Sequence, residues 1–221
     1  MYKILVADDH PLFRDAIVNI IGMKFPNSIT YETEDIESTI AFVKDNDEID
    51  LILLDLNMPG MSGLNGLLDL RNQFPTTPVV IVSAEQEKQT VLQTLSYGAV
   101  GFISKSSSKD VIGNAIESVF QGNVYLPSDI MRSESNSVSA GTTKDYKVLP
   151  ENISLLTRRE LIVLKHLTKG EANKQIAFNL HISETTVKSH VSSILKKLGA
   201  SNRVKVVLGC SDIDFNQYLK R

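Results

Sequence analysis

Residues 51–63 read LILLDLNMPGMSG, and they give the clearest local indication of the fold. Its first four residues are all apolar, which is typical of a strand buried on both faces at the centre of a parallel sheet. Asp55 follows this strand directly, without an intervening turn. The stretch therefore predicts a central buried strand with a carboxylate at its carboxyl end.

The same pattern of short apolar runs and amphipathic stretches fills the first half of the chain. Strands are predicted at residues 3–7, 28–33, 51–54, 79–82 and 100–104. Helices are predicted at residues 11–24, 36–46, 64–74, 86–97 and 109–121, and the candidate N-caps are Asp35, Ser62 and Ser108. Because strands alternate with helices, we predict an α/β fold, a flavodoxin-like doubly wound sheet of five parallel strands with the order 2-1-3-4-5.

A second, helical module follows a polar stretch. A short helix is predicted at residues 128–132, and residues 133–150 (SESNSVSAGTTKDYKVLP) have the composition of a linker. Thr157 and Glu160 form a capping box at the start of the next ordered segment. Four helices are predicted there, at residues 157–169, 173–180, 183–198 and from about 201 to 208. We predict a small all-α four-helix domain that contains a helix-turn-helix.

Three segments follow from this organisation: a first domain at 1–122, a linker at 123–152 and the helical domain at 153–221. Their charges differ. Residues 1–122 hold 8 Lys or Arg and 17 Asp or Glu, whereas residues 155–205 hold 10 and 3, so the net charges are −9 and +7. A compact basic module suits a polyanionic partner, of which nucleic acid is the commonest, although a solvated charged helix would also account for it.

Composition excludes some classes of protein. The chain has 221 residues, 42% of them hydrophobic, and no apolar run long enough to span a bilayer. Its start lacks the apolar core of a signal peptide, and its single cysteine, Cys210, has no internal partner for a disulfide. We therefore expect a cytoplasmic protein with no membrane partner.

Polar residues follow four of the predicted strands. Asp8 and Asp9 follow the first strand, Asp55 the third, Ser83 the fourth and Lys105 the fifth. Because the carboxyl ends of parallel strands meet at one edge of the sheet, these side chains are expected to converge. Three carboxylates repel one another and need a cation, and hard oxygen ligands favour Mg²⁺. Taken singly, each residue also fits a structural role as a helix cap, a loop serine or a surface lysine.

These residues carry a resemblance. The stretches at 6–10 (VADDH), 55–63 (DLNMPGMSG), 82–84 (VSA) and 98–105 (GAVGFISK) resemble the receiver (CheY-like) domain of two-component response regulators. The resemblance implies that Asp55 accepts a phosphoryl group from a sensor histidine kinase. It also implies a Mg²⁺ site formed by Asp8, Asp9, Asp55 and the backbone carbonyl of Asn57. Ser83 and Phe102 would be the switch pair, and Lys105 would stabilise the phosphoryl group.

Two positions depart from the family's pattern. Ser83 and Phe102 stand where Thr and Tyr are frequent, and Ser106 stands where many receivers have a proline.

The third helix of the basic module has the pattern of a recognition helix. Apolar residues recur at helical spacing along one side, and a polar side with lysines and small hydroxyl residues suits the major groove of DNA. The candidate DNA-contacting residues are Lys174, Thr185, Lys188, Ser189, Ser192, Lys196, Lys197 and Arg203.

Residues 155–207 resemble the LuxR/FixJ-type helix-turn-helix of NarL-like regulators, on the stretches LTRRE (156–160), NKQIA (173–177), ISETTVKSHV (182–191) and ILKKL (194–198). The resemblance implies promoter DNA as a partner and a homodimer in the active state. Val204, Val207 and Leu208 can supply a dimerisation patch, or can simply complete the core.

We therefore predict a transcription regulator of a two-component system, a phosphoprotein rather than an enzyme. Two alternatives remain open at this point. The receiver can serve as a dimerisation or docking module in a regulator that ignores phosphorylation. The acidic half can also be a Mg²⁺-dependent phosphohydrolase with an aspartyl-phosphate intermediate, although Asp8-Asp9-His10 breaks the Asp-x-Asp arrangement typical of such enzymes.

Overall fold

The computed structural model describes residues 1–46, 48–127, 130, 148, 150–210, 213 and 215–219. The chain divides into two compact units, Met1–Val119 with Asn123–Val138, and Phe120–Gly122 with Ser139–Arg221. The helix predicted at 128–132 and the linker predicted at 133–150 lie outside the described residues, except for Ile130, Val148 and Pro150. Among the described residues, no helix has both the length and the apolar character needed to cross a bilayer.

The first unit contains a parallel sheet of five strands. The strands are β1 (Lys3–Ala7), β2 (Ile29–Thr33), β3 (Leu51–Leu54), β4 (Val79–Ser83) and β5 (Gly101–Ser104). Their order is β2-β1-β3-β4-β5, and every pairing is parallel. The predicted fold class is confirmed. Every residue of β3, β4 and β5 is buried, because helices cover both faces of the sheet.

Five helices connect and follow these strands. They are α1 (Pro11–Lys24), α2 (Ile36–Asp45), α3 (Asn65–Gln73), α4 (Lys88–Ser96) and α5 (Lys109–Phe120). Pro11 occupies the first turn of α1, where its missing N–H is not needed. Asp35 caps α2 by accepting a hydrogen bond from the Ser38 backbone N–H, as predicted.

The N-cap predicted at Ser62 is wrong. The N-cap residue of α3 is Leu64, and its side chain makes no capping hydrogen bond. The helix starts later than predicted because the chain first makes a turn, in which Ser62 accepts a hydrogen bond through its backbone carbonyl from Asn65, and Gly63 takes a φ of 59°. That left-handed conformation is accessible to glycine without strain.

The second unit is helical throughout its described part. Its helices are α6 (Pro150–Ser154), α7 (Arg158–Thr168), α8 (Asn173–Leu180), α9 (Glu184–Leu198), α10 (Arg203–Gly209) and α11 (Asn216–Leu219). The four predicted helices are present, and α6 and α11 are additional short ones. The capping box of Thr157 and Glu160 is confirmed. The last predicted helix, expected from about residue 201, begins at Arg203, because Asn202 is its N-cap.

A tight turn joins α8 to α9. His181 takes a φ of 53° and ends α8, and Ser183 then caps α9 by accepting a hydrogen bond from the Thr186 backbone N–H. The apolar side of α9 packs into the core of the unit against α7 and α8. Its buried residues are the predicted set, Val187, Val191, Ile194, Leu195 and Leu198. This packing leaves the opposite side of α9 exposed.

Candidate functional site

The carboxyl edge of the sheet brings the predicted polar residues together. Ala7 of β1 pairs with Leu54 of β3, so the residues that follow these strands are neighbours. The Asp55 backbone N–H donates to the Ala7 carbonyl at 2.9 Å, which fixes the ends of both strands. The carboxylates of Asp8 and Asp55 are only 2% and 0% exposed. Two buried carboxylates at one point need positive charge nearby.

Lys105 supplies that charge from the end of β5. Its Nζ lies 2.8 Å from Asp55 Oδ2 and 2.7 Å from Asp8 Oδ2. Burial alone lowers the pKa of Lys105, but the hydrogen bonds and charges of Asp55 and Asp8 outweigh burial and raise the pKa above its ordinary value. The ammonium group is therefore held in its charged form between the two carboxylates.

The acidic side of this pocket fits a divalent cation. One ligand atom each from Asp8, Asp9, His10 and Asp55 lies within 4.8 Å of the others. Asp8 Oδ2 and Asp9 Oδ1 are buried, and Lys105 Nζ and His10 Nδ1 lie 2.7 and 2.6 Å from them, respectively. Carboxylate oxygens with unused acceptor capacity suit the hard oxygen coordination of Mg²⁺.

The remaining predicted pocket residues lie around Asp55. Ser83 is completely buried at the end of β4, and its Oγ accepts a hydrogen bond from the Glu85 backbone N–H at 3.2 Å. Phe102 is completely buried in β5, so its ring points into the core. The Asn57 backbone N–H donates to Asp55 Oδ1 at 3.2 Å, which places this exposed residue at the rim of the pocket.

Two further residues shape the pocket, and the sequence reasoning missed both. The Arg14 guanidinium donates hydrogen bonds to the Asp8 backbone carbonyl and to Glu34 Oε1, each at 2.6 Å. These bonds fix the backbone at the carboxyl end of β1. His10 lies with its Nδ1 2.6 Å from Asp9 Oδ1 and 3.1 Å from Asp8 Oδ1. The sequence indicates a role for Arg14 only through its position, since it is a charged residue on the otherwise apolar side of α1.

The exposed side of α9 carries most of the residues predicted to contact DNA. Thr185, Ser189, Ser192 and Lys196 are exposed, and Lys188 is half-buried with its Nζ 3.8 Å from Glu184 Oε1. Small hydroxyl residues and lysines on one exposed helix face match the requirements of a helix that enters the major groove. Lys174, in α8, is also half-buried.

Lys197 is engaged inside the helical unit. Its Nζ donates to Glu160 Oε1 and Oε2 at 2.9 and 2.7 Å, and Ser193 donates to Glu160 as well. Burial raises the pKa of Glu160, but the hydrogen bonds from Lys197, Ser193 and Thr157 prevail and lower it to about 2. These contacts tie α9 to the capping box of α7.

Arg203 is engaged in the same way. Its guanidinium donates to the Glu171 carbonyl and, at 3.4 Å, to Asn173 Oδ1, and burial lowers its pKa to about 10. A phosphate contact by Lys197 or Arg203 stays a prediction, and it would require the side chain to leave these partners.

The predicted dimerisation residues lie on α10. Val204 and Val207 are half-buried, and Leu208 is 55% exposed. Together they leave apolar surface at this helix, while Val206 between them is completely buried in the core.

Comparisons with known families agree with both units. Residues 4–117 match the model of the response regulator receiver domain, and residues 154–209 match that of bacterial regulatory proteins of the luxR family. A receiver followed by a LuxR-type helix-turn-helix defines the class of DNA-binding response regulators. The chain belongs to this family of two-component transcription regulators. Receiver domains generally bind Mg²⁺ at an acidic pocket, and LuxR-type regulators bind DNA and act as dimers.

Individual relatives are similar along the whole chain. The glycerol metabolism activator of Pseudomonas putida is 57% identical over 221 residues, which is 100% of both chains. The nitrate/nitrite response regulator protein NarP of Escherichia coli (strain K12) is 34% identical over 207 residues, 94% of this chain and 93% of NarP.

Solved structures share the fold. A LuxR family DNA-binding response regulator from Silicibacter pomeroyi is 29% identical, with a TM-score of 0.53 over 58% of this chain and 99% of that one. The RcsB response regulator of Salmonella typhimurium, at 20% identity, has a TM-score of 0.56 over 96% of this chain and 98% of that one, which supports the fold alone.

Proposed function

We propose that this chain accepts a phosphoryl group on Asp55 from a sensor histidine kinase, and that the modification raises dimerisation and binding to promoter DNA. The observation that supports this most directly is the position of Asp55, a buried carboxylate whose Oδ2 lies 2.8 Å from Lys105 Nζ. That ammonium group stands where negative charge develops on a phosphoryl group transferred to Asp55. The proposal places the protein in the cytoplasm, beside its DNA.

The transfer itself needs little chemistry from the protein. An Asp55 oxygen forms a bond to phosphorus as the bond from phosphorus to the donor nitrogen breaks, and Lys105 balances charge on the phosphoryl oxygens. Asp9, Asp55 and the Asn57 carbonyl would hold Mg²⁺, with Asp8 assisting. When bound, this ion neutralises charge on the carboxylates and on the incoming phosphoryl group.

Ser83 and Phe102 are proposed as the switch. A phosphoryl group on Asp55 adds strong hydrogen-bond acceptors next to the end of β4, and the Ser83 hydroxyl is the donor at that end. Because Ile81 pairs with Phe102, and Ser83 with Ser104, a movement of Ser83 is passed to β5 through these pairs. In this proposal the edge of the sheet has two arrangements, and the charge of the phosphoryl group on Asp55 shifts the equilibrium between them.

The experiment is a gel-shift and sizing comparison of wild type, Asp55→Ala and Asp69→Ala. Asp69 is an exposed aspartate on α3 and serves as the matched control. Each protein is incubated with Mg²⁺, with and without acetyl phosphate, at fixed salt, against a pool of promoter DNA. Wild type and Asp69→Ala should gain a phosphoryl group, dimerise and bind more tightly, whereas Asp55→Ala should not respond.

The same experiment separates the alternatives. Equal DNA binding by all three proteins, with or without donor, would favour a regulator that ignores phosphorylation. Multiple-turnover hydrolysis of small phosphate esters by wild type would favour the phosphohydrolase, which stays a hypothesis.

We further propose genes of glycerol metabolism as the target, on the strength of the 57% identity to the Pseudomonas putida activator over the full length of both chains. Footprinting upstream of glycerol-utilisation genes, against an unrelated promoter of equal length, tests this. Protection of both promoters, or of neither, at the same protein concentration would remove the proposed target while leaving the phosphorylation proposal untouched.

A further inference from the structure

The chain just after α5 returns to the sheet instead of leaving the first unit. Tyr125 forms a parallel bridge with Gly101 of β5. The Phe102 backbone N–H donates to the Tyr125 carbonyl at 2.9 Å, and the Tyr125 N–H donates to the Val100 carbonyl at 3.2 Å. The predicted linker begins at residue 123, so this pairing differs from the prediction.

Apolar packing holds the same segment. Leu126 packs against the core cluster that contains Phe102, and Ile130, 8% exposed, is itself a member of that cluster. Val124, by contrast, is 46% exposed. We call residues 123–127 the docking segment.

Gly101 permits this close approach. A Cβ atom at position 101 would lie 3.1 Å from the Tyr125 carbonyl oxygen and 3.4 Å from both Tyr125 Cβ and Val80 Cγ2. The 3.1 Å contact is tight enough that the Tyr125 carbonyl would have to shift by a few tenths of an ångström, whereas the two 3.4 Å contacts are ordinary packing distances. The edge of β5 is therefore shaped to receive the docking segment.

We propose that the docking segment couples the state of β5 to the linker that leads to the DNA-binding unit. One backbone hydrogen bond joins Phe102, the aromatic member of the proposed switch pair, to Tyr125. A displacement of Phe102 must therefore stretch this bond or carry Tyr125 with it. Coupling of this kind is reciprocal, so loosening the docking segment must also loosen β5 at Phe102. The inference rests on the proposed function for its biological role, but docking itself can be measured without phosphorylation.

The first test is amide hydrogen exchange on the full chain without a phosphodonor. Leu126→Ala removes the packing of the docking segment, and Val124→Ala is the matched control on an exposed neighbour. The Phe102 amide should exchange at least about tenfold faster in Leu126→Ala than in Val124→Ala, because its acceptor lies on the docking segment. In the reciprocal variant, Phe102→Leu, exchange should rise at Tyr125. Equal rates in Leu126→Ala and Val124→Ala would overturn the proposal.

The second test adds Mg²⁺ and acetyl phosphate and measures the ratio of DNA affinities with and without donor. Leu126→Ala should be phosphorylated to the same extent as wild type, yet its affinity ratio should fall towards one, while Val124→Ala keeps the wild-type ratio. A wild-type ratio in Leu126→Ala would overturn the coupling. If wild type itself takes no phosphoryl group, the proposed function fails, and the exchange rate at Tyr125 in Phe102→Leu still decides the coupling.

Discussion

Lys105 Nζ lies between two buried carboxylates, 2.8 Å from Asp55 Oδ2 and 2.7 Å from Asp8 Oδ2. Lys105→Ala should leave both carboxylates without a counter-charge, and we expect a loss of roughly 2 kcal/mol in the free energy of unfolding without divalent cations. Mg²⁺ should restore a larger share of stability to this variant than to wild type, because the cation supplies the missing charge. Urea unfolding in EDTA and in Mg²⁺ measures this, with the exposed Lys109→Ala as control.

Lys105→Ala should also be phosphorylated more slowly than wild type. Loss of a preorganised positive group should slow phosphorylation of Asp55 by acetyl phosphate roughly 100-fold. The phosphorylated fraction is measured over time in a gel that retards phosphoproteins. If Lys105→Ala is phosphorylated at the wild-type rate, the ammonium group has no part in the transfer.

Lys196 and Lys197 are adjacent in sequence but differ in surroundings. Lys196 is exposed on α9, and Lys197 is bonded to Glu160. Lys196→Ala should reduce the slope of log affinity against log salt by about 0.9, as expected for one lost phosphate contact, with little effect on unfolding. Lys197→Ala should instead destabilise the helical unit by about 1–2 kcal/mol. Salt-dependent DNA binding and thermal unfolding of each variant check both expectations, and identical behaviour of the two variants would contradict them.

The capping-box glutamate predicts how stability depends on pH. Glu160 has a pKa of about 2 in the folded chain, below its ordinary value of 4.5. A lowered folded-state pKa contributes stability that is fully present above the ordinary value and is lost as the pH falls towards the folded-state value. The helical unit should therefore lose stability between about pH 4.5 and pH 2. Glu160→Gln should flatten that part of the stability profile, whereas Glu151→Gln, at an exposed position on α6, should not.

Cys210 provides a chemical probe of the helical unit. It is the single cysteine of the chain, it is 1% exposed, and burial raises its pKa to about 11. Alkylation by iodoacetamide at neutral pH should therefore be slow in the folded protein and should accelerate with denaturant. The labelling rate should rise in Lys197→Ala and stay unchanged in Lys196→Ala. Rapid labelling of the folded wild type would contradict the burial of this thiol.

The pocket was predictable because strand ends are a local signal. Asp8 and Asp55 each follow an apolar run directly, Lys105 follows the strand that ends at Ser104, and the parallel arrangement brings the ends of such strands to one edge. The apolar side of α9 was predictable for the same reason, since helical spacing repeats within a few residues.

Contacts between distant residues that do not lie at strand ends were not predictable. The partner of Lys197 is 37 residues away, at Glu160, and the carbonyl that Arg203 binds is 32 residues away, at Glu171. A basic residue in a basic helix gives no local sign of whether it faces DNA or a neighbouring helix. The pairing of Tyr125 with β5 was not predicted for a related reason, because a single bridged residue leaves no strand-like pattern in the sequence.

The order of the strands has a consequence for the growing chain. Once residue 55 has been synthesised, the chain contains both β1 and β3, whose pairing brings the ends that carry Asp8, Asp9 and Asp55 together. Lys105 is added fifty residues later, at the end of β5. A nascent chain of intermediate length therefore carries the three acids without their lysine, so we expect a divalent cation to stabilise a truncated chain that ends before β5 more than it stabilises the complete chain.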